Sequence, residues 1–134
     1  MQIPIGLEDQ LTGVIDLITM KAYYNEGDSG ETVVEKEIPA DFMEQALEYR
    51  KELIGKAADF DDEVGEKFLM EEEVSVELLK RAIRKGTLKM ELTPVYCGSA
   101  YKNKGVQKLL DGVADFLPNP SEVLNEAIDN DNAE

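Results

Sequence analysis

The run Cys97-Gly98-Ser99-Ala100-Tyr101-Lys102-Asn103-Lys104-Gly105 constrains this chain more than any other stretch. Before it, Leu92, Val95 and Tyr96 make a short β-prone segment with Pro94 inside it. After it, Val106, Leu109, Leu110, Val113, Phe116 and Leu117 recur at i, i+3 and i+4, the stripe of a helix with one buried face. A strand, a turn of small residues and a helix in that order let backbone N–H groups face a ligand with no side chain in the way. On its own the loop has two readings: an ordinary start to a helix with an exposed lysine pair, or a ligand-contacting turn.

Upstream, the hydrophobic period is β first and α afterwards. Residues 2–7 alternate, with Ile3 and Ile5 on one side, and Pro4 predicts an edge strand. Residues 13–24, rich in Val, Ile and Tyr, predict a second strand with a bend. Asn25-Glu26-Gly27-Asp28-Ser29-Gly30 is turn chemistry, and residues 32–38 alternate again, so the two β-prone runs around that loop predict an antiparallel hairpin. From Pro39 the period becomes helical, with Phe42, Met43, Ala46, Leu47, Leu53, Ile54, Ala57 and Ala58 on one face. A short helix is predicted over 62–70. A third begins at Ser75 as N-cap, buries Leu78, Leu79, Ala82 and Ile83, and ends at Gly86. The expected class is α+β: a small, mainly antiparallel sheet packed against several helices, followed by one strand-loop-helix unit.

Charge and composition narrow the chemistry. At 134 residues the chain is one domain with room for a core. Its net charge of −15 opposes nucleic-acid backbones and suits a basic protein partner. There is no histidine, so zinc sites and Ser-His or Cys-His catalysis are excluded. The single cysteine, Cys97, forms no internal disulfide; it reads as a small core residue and fits a reducing compartment. No basic-then-apolar leader is apparent at the N-terminus, and no apolar run approaches the ~20 residues of a membrane span.

Two charged clusters remain. Asp59-Phe60-Asp61-Asp62-Glu63, with Glu66 beyond, has the character of a solvated acidic face; it offers neither a pocket for acid–base work nor the glycine-centred calcium loop. Lys80, Arg81, Arg84 and Lys85 crowd the end of the third predicted helix, where they favour the helix dipole and the protein's own carboxylates, with contact to RNA as the alternative.

Taken together, these pieces resemble the elongation factor G family of translational GTPases. The resemblance is carried by QIPIG at 2–6, GVIDLITMKAY at 13–23, EIPADF at 37–42, ELIGKAADFDD at 52–62, AIRKGTLK at 82–89 and TPVYCGSAYKNKGVQKLLDGVADFLPNPSEV at 93–123. It implies three parts: residues 1–91 as the G-prime insertion of the GTPase domain, 92–121 as that domain's final strand, guanine loop and helix, and 122–134 as a disordered polar tail. It implies that Ser99, Ala100 and Lys102 belong to the loop that reads guanine, with Ala100 giving a backbone donor. Tyr101 stands where Leu or Phe is common. The resemblance also implies an acidic helix that meets the basic C-terminal domain of the ribosomal stalk protein, with Asp59 and Asp62 at matching positions and Asp61, Glu63 and Glu66 beside them. Gly55 departs from the acidic residue common at its place.

The family's phosphate-binding loop, its switch segment, its base-reading N-K-x-D motif and its catalytic histidine do not occur here, so the expectation is an excised piece that does not hydrolyse GTP. GTP or GDP would be bound by the full-length parent and not by this chain, whose expected partner is the ribosome, in the bacterial cytoplasm or alternatively the mitochondrial matrix. No membrane and no sequence-specific nucleic acid is expected. The rival readings are another translational GTPase, of the release-factor or ribosomal-protection type, and a free-standing acidic interaction module.

Overall fold

The computed structural model describes residues 1–123. Most of the expected tail, residues 124–134, lies outside them. Four strands pair antiparallel in sequence order: β1 (Gln2–Ile5), β2 (Gly13–Asp16), β3 (Lys21–Glu26) and β4 (Thr32–Lys36). Ile3 lies opposite Ile15, and Ile15 opposite Ala22, and all three are buried. That row is the apolar face of a half-buried sheet. β1, with Pro4 inside it, is an edge strand as its sequence predicts.

Residues 13–24 are two strands and not the single bent one expected. Asp16 turns the chain. Its Oδ1 accepts from the Ile18 N–H at 2.8 Å and the Thr19 N–H at 3.3 Å, its carbonyl accepts from Met20 N–H at 2.9 Å, and Met20 takes φ +54°. A short acidic side chain that bonds the backbone just ahead of it ends a strand.

The helices are α1 (Ala40–Ala57), α2 (Asp62–Leu69), α3 (Val76–Leu88) and α4 (Val106–Phe116), with a 3-10 turn Ala58–Phe60 between α1 and α2. Ser75 caps α3 as expected, its Oγ accepting from Leu78 N–H at 3.3 Å. The sheet row packs with Leu17, Ile38 and Ala46 against Phe42 and Leu53 of α1. A second core gathers Ile18, Ala57, Val64, Leu79, Ile83 and Phe116, and Leu53 reaches it too. Arg50 ties the two together: its guanidinium donates to the Leu17 carbonyl at 2.6 Å, to Ile18 O, and to Val74 O at 3.2 Å. Burial holds its pKa below the ordinary arginine value.

Four expectations are corrected. Met43 and Leu47, placed on the buried face of α1, are exposed. Gly86 does not end α3 but lies within it; a Cβ there would meet the Phe60 ring at 2.9 Å, so its bare backbone seats that ring. Residues 92–97 form no strand and pair with none among the described residues. The α4 stripe is largely open, with Leu109, Leu110, Val113 and Leu117 exposed and Phe116 alone of the six fully buried. The last two have one cause: no described element covers that side of the strand-loop-helix unit.

Candidate functional site

Residues 98–105 close on themselves. The Ser99 N–H donates to Lys104 O at 2.8 Å and the Lys104 N–H to Ser99 O at 3.0 Å. Inside the turn, Asn103 N–H donates to Ala100 O at 3.1 Å and Lys102 N–H to Ser99 Oγ at 3.4 Å. Glycine is required at both ends. A Cβ on Gly98 would lie 2.6 Å from the Lys104 carbonyl oxygen, and Gly105, at φ +78°, would place one 2.5 Å from that of Cys97. Ala100 is exposed at the tip, and among the described residues its N–H has no acceptor.

The connections from β1 to β2 and from β3 to β4, together with Asn25 of β3, form a floor under this turn. Lys102 Nζ donates to Asp9 at 2.8 Å and keeps that carboxyl below its usual range, and Lys104 Nζ donates to Leu11 O at 2.6 Å. Asn103 Nδ2 donates to Ser29 O at 3.1 Å. Asn25 Oδ1 accepts from Gly105 N–H at 3.0 Å, while its Nδ2 donates to Gly30 O and to Gln107 Oε1, both at 3.1 Å. The first turn of α4 lies on the same side, with the Lys108 ammonium 4.2 Å from the centroid of the Tyr23 ring. Just before the turn, Cys97 is half-buried and its N–H donates to Gln2 Oε1 at 3.1 Å. The Tyr96 ring covers Gly112, and burial pushes its phenol pKa up.

Of the residues expected in the loop, the structure brings Ser99, Ala100 and Lys102 into one turn. Lys102 faces Asp9 rather than standing free. Asn25, Gln107 and Asp9 were not legible as parts of this site. Asn25 sits among turn residues for which a local role suffices, and no local pattern points to a partner 80 positions away.

The acidic run is not uniform. Asp59, Asp62, Glu63 and Glu66 are exposed, but Asp61 is buried. Arg81 grips it from two sides, Nε to Oδ2 at 2.9 Å and Nη2 to Oδ1 at 2.8 Å, and Lys85 bonds Oδ2. The reading of the whole run as a solvated contact face is therefore corrected at Asp61, whose carboxylate is enclosed by these cations. They hold its pKa well below the carboxylate range, Arg81 foremost, and outweigh the opposing effect of burial. Arg81 also bonds Glu63 at 2.8 Å. The other basic residues meet the protein's own carboxylates as expected: Lys80 pairs with Asp115 at 2.7 Å, and Arg84 pairs with Glu122 at 2.7 Å and donates to the carbonyls of Asp115 and Leu117. Among the described residues no cluster of three His, Cys, Asp or Glu side chains offers a metal site, and no helix is long and apolar enough to cross a membrane.

No family model matches the chain. It is, however, 57% identical over 129 residues to elongation factor G 2 of Bdellovibrio bacteriovorus, covering 96% of this chain and 18% of that protein. It is 53% identical to elongation factor G 1 of Borreliella afzelii over all of this chain and 19% of the relative. A crystal structure of a Thermus thermophilus protein superposes with a TM-score of 0.75 at 29% identity, over 90% of this chain and 18% of that one. The chain thus spans about a fifth of the length of the curated relatives it matches.

Proposed function

The chain belongs to the elongation factor G family over the segment it spans, and from that premise we propose that it supplies two surfaces to a GTPase of ribosomal translocation. The first is one wall of a guanine-nucleotide pocket in residues 92–121, and the second is an acidic docking face in the G-prime insertion of residues 1–91. The observation that carries the first is the exposed Ala100 N–H on a turn pinned at both ends. A fixed donor there suits the carbonyl of guanine and opposes the amino group of adenine. The fit is that of an edge contact only. Ser99 Oγ is occupied in holding Lys102 N–H, and Lys102 braces the turn against Asp9. GTP or GDP would be held mainly by other parts of the full-length protein.

Alone, the chain is expected to give no heat of GTP binding by calorimetry, and micromolar affinity would contradict this division of labour. In the full-length protein, added GDP is expected to shift and protect the Ala100 amide. An unmoved amide would sink the guanine-loop reading.

The second surface comprises Asp59 and Asp62, with Glu63 and Glu66 beside them and Asp61 as the buried brace beneath. Its proposed partner is the basic C-terminal domain of the large-subunit stalk protein, met in the bacterial cytoplasm. Exposed charge pairs are individually weak and screened by salt, so the contact serves recruitment rate more than affinity. Reversing Asp59 and Asp62 to lysine is expected to weaken binding to the isolated stalk domain severalfold in low salt. A titration unchanged by both reversals would reduce this face to solvation.

A further inference from the structure

We infer that Asn25 is a positioning residue for the 98–105 loop, fixing from the sheet the turn that presents the Ala100 N–H. The inference rests on the guanine-loop reading above. α4 is preceded by its N-cap residue Gly105, whose own N–H is one of the donors that a helix start leaves unpaired. Asn25 accepts that donor from 80 residues away, its Oδ1 taking the Gly105 N–H at 3.0 Å. The other end of the same carboxamide is fixed as well, because Nδ2 donates to Gly30 O and Gln107 Oε1. Gln107 in turn donates to Asn103 Oδ1 at 3.3 Å.

The hairpin tip and the loop also touch through backbone. Gly30, buried at φ +65°, would with a Cβ stand 2.8 Å from Asn103 O and 2.9 Å from Lys102 O. All these attachments fall on the later limb of the loop, from Lys102 to Gln107. The earlier limb, Ser99 and Ala100, is held to it by the paired bonds between Ser99 and Lys104. Position therefore passes from Asn25 to Gly105, across the Lys104–Ser99 pair, and on to Ala100. A ligand that needs Ala100 in place is sensitive to a side chain that never touches it, and by linkage a nucleotide on the loop stiffens the hairpin.

The test uses the full-length protein and release of a fluorescent GDP analogue, with amide exchange of Gly105 followed in parallel. Asn25→Ala is expected to speed release roughly tenfold, the scale of one lost part-buried hydrogen bond, with little change in association. Asn25→Asp keeps the acceptor for Gly105 N–H but turns a carboxylate oxygen toward Gly30 O and Gln107 Oε1, and is expected to recover only part of that loss. Glu26→Ala, on the same strand, breaks only an exposed pair with Lys36 and is expected to leave release at the wild-type rate. Gly105 exchange should rise in Asn25→Ala and not in the other two. Wild-type release in Asn25→Ala, or equal effects in Glu26→Ala, overturns the inference while leaving the guanine loop intact. If GDP binds the unmodified protein without moving the Ala100 amide, the guanine-loop reading falls first.

Discussion

Replacing Phe116 with alanine is expected to cost about 3–5 kcal/mol of unfolding free energy, measured by urea denaturation. Phe116 is the last residue of α4 and is 1% exposed, within the cluster that holds Leu79, Ile83, Val64 and Ala57. The rest of the helix's apolar stripe is open, so this one ring carries most of the burial that holds α4 to α3. The loss is the transfer free energy of a large aromatic plus the cavity it leaves, in a domain whose whole stability is of order 5–15 kcal/mol. Leu110, 61% exposed on the same helix, is the control: Leu110→Ala is expected to cost under about 1 kcal/mol. A Phe116→Ala variant within about 1 kcal/mol of the parent would show that α4 is held instead by polar contacts, foremost Lys80 with Asp115 and Arg84 with the Asp115 and Leu117 carbonyls.

Asp61→Ala is expected to be the second large loss, about 3 kcal/mol near neutral pH. Its carboxylate is 2% exposed and receives three charged hydrogen bonds from Arg81 and Lys85. The two cations are half-exposed and return to water when it is removed, which keeps the cost from being larger. The pH dependence has a definite sign. Asp61's folded pKa is depressed, so its contribution is complete above the ordinary Asp value of about 3.9 and fades as pH falls below that toward the folded pKa. The gap in stability between parent and variant should therefore be constant from about pH 7 to 5 and close on acidification below about 4. Comparing the two chains is essential, because a net charge of −15 means that acid also relieves repulsion among the other carboxylates in both. A gap that persists undiminished at about pH 2 would mean that Asp61 acts by packing alone.

The parts of this molecule that sequence makes legible are those decided over a few neighbouring residues. Ser75, the apolar positions 78, 79, 82 and 83, and the turn around Gly27 and Gly30 each state their structure locally, and each forms as read. Failures occur where a distant partner decides. Gly86 carries the signature of a helix stop, yet Phe60 from another turn takes the space its missing side chain leaves. Residues 92–97 have β composition, but a strand requires a neighbour, and among the described residues none is supplied. Asp16 is the exception: its turn signal is local, but the β-branched residues on either side carry the opposite preference. At the loop, the glycines and Ser99-Ala100 were visible, whereas Asn25 was hidden because its role depends on a contact across most of the chain.

The sheet is a meander of nearest neighbours, while the loop is joined to it and to its β1–β2 connection over sequence separations of 80 and 93 residues. That difference sets an order of events as the polypeptide leaves the ribosome. The pairing of the four strands uses no residue beyond 36, and the helix that covers their apolar face follows directly, ending at residue 57. The Asn25 carboxamide and the Leu11 carbonyl must then wait for Lys104 and Gly105 to emerge. With 80 residues between Asn25 and Gly105 and elongation at about 5–20 residues per second, that interval is on the order of 4–16 s. Throughout it the floor of the site exists without its roof, and water serves as the only cap available.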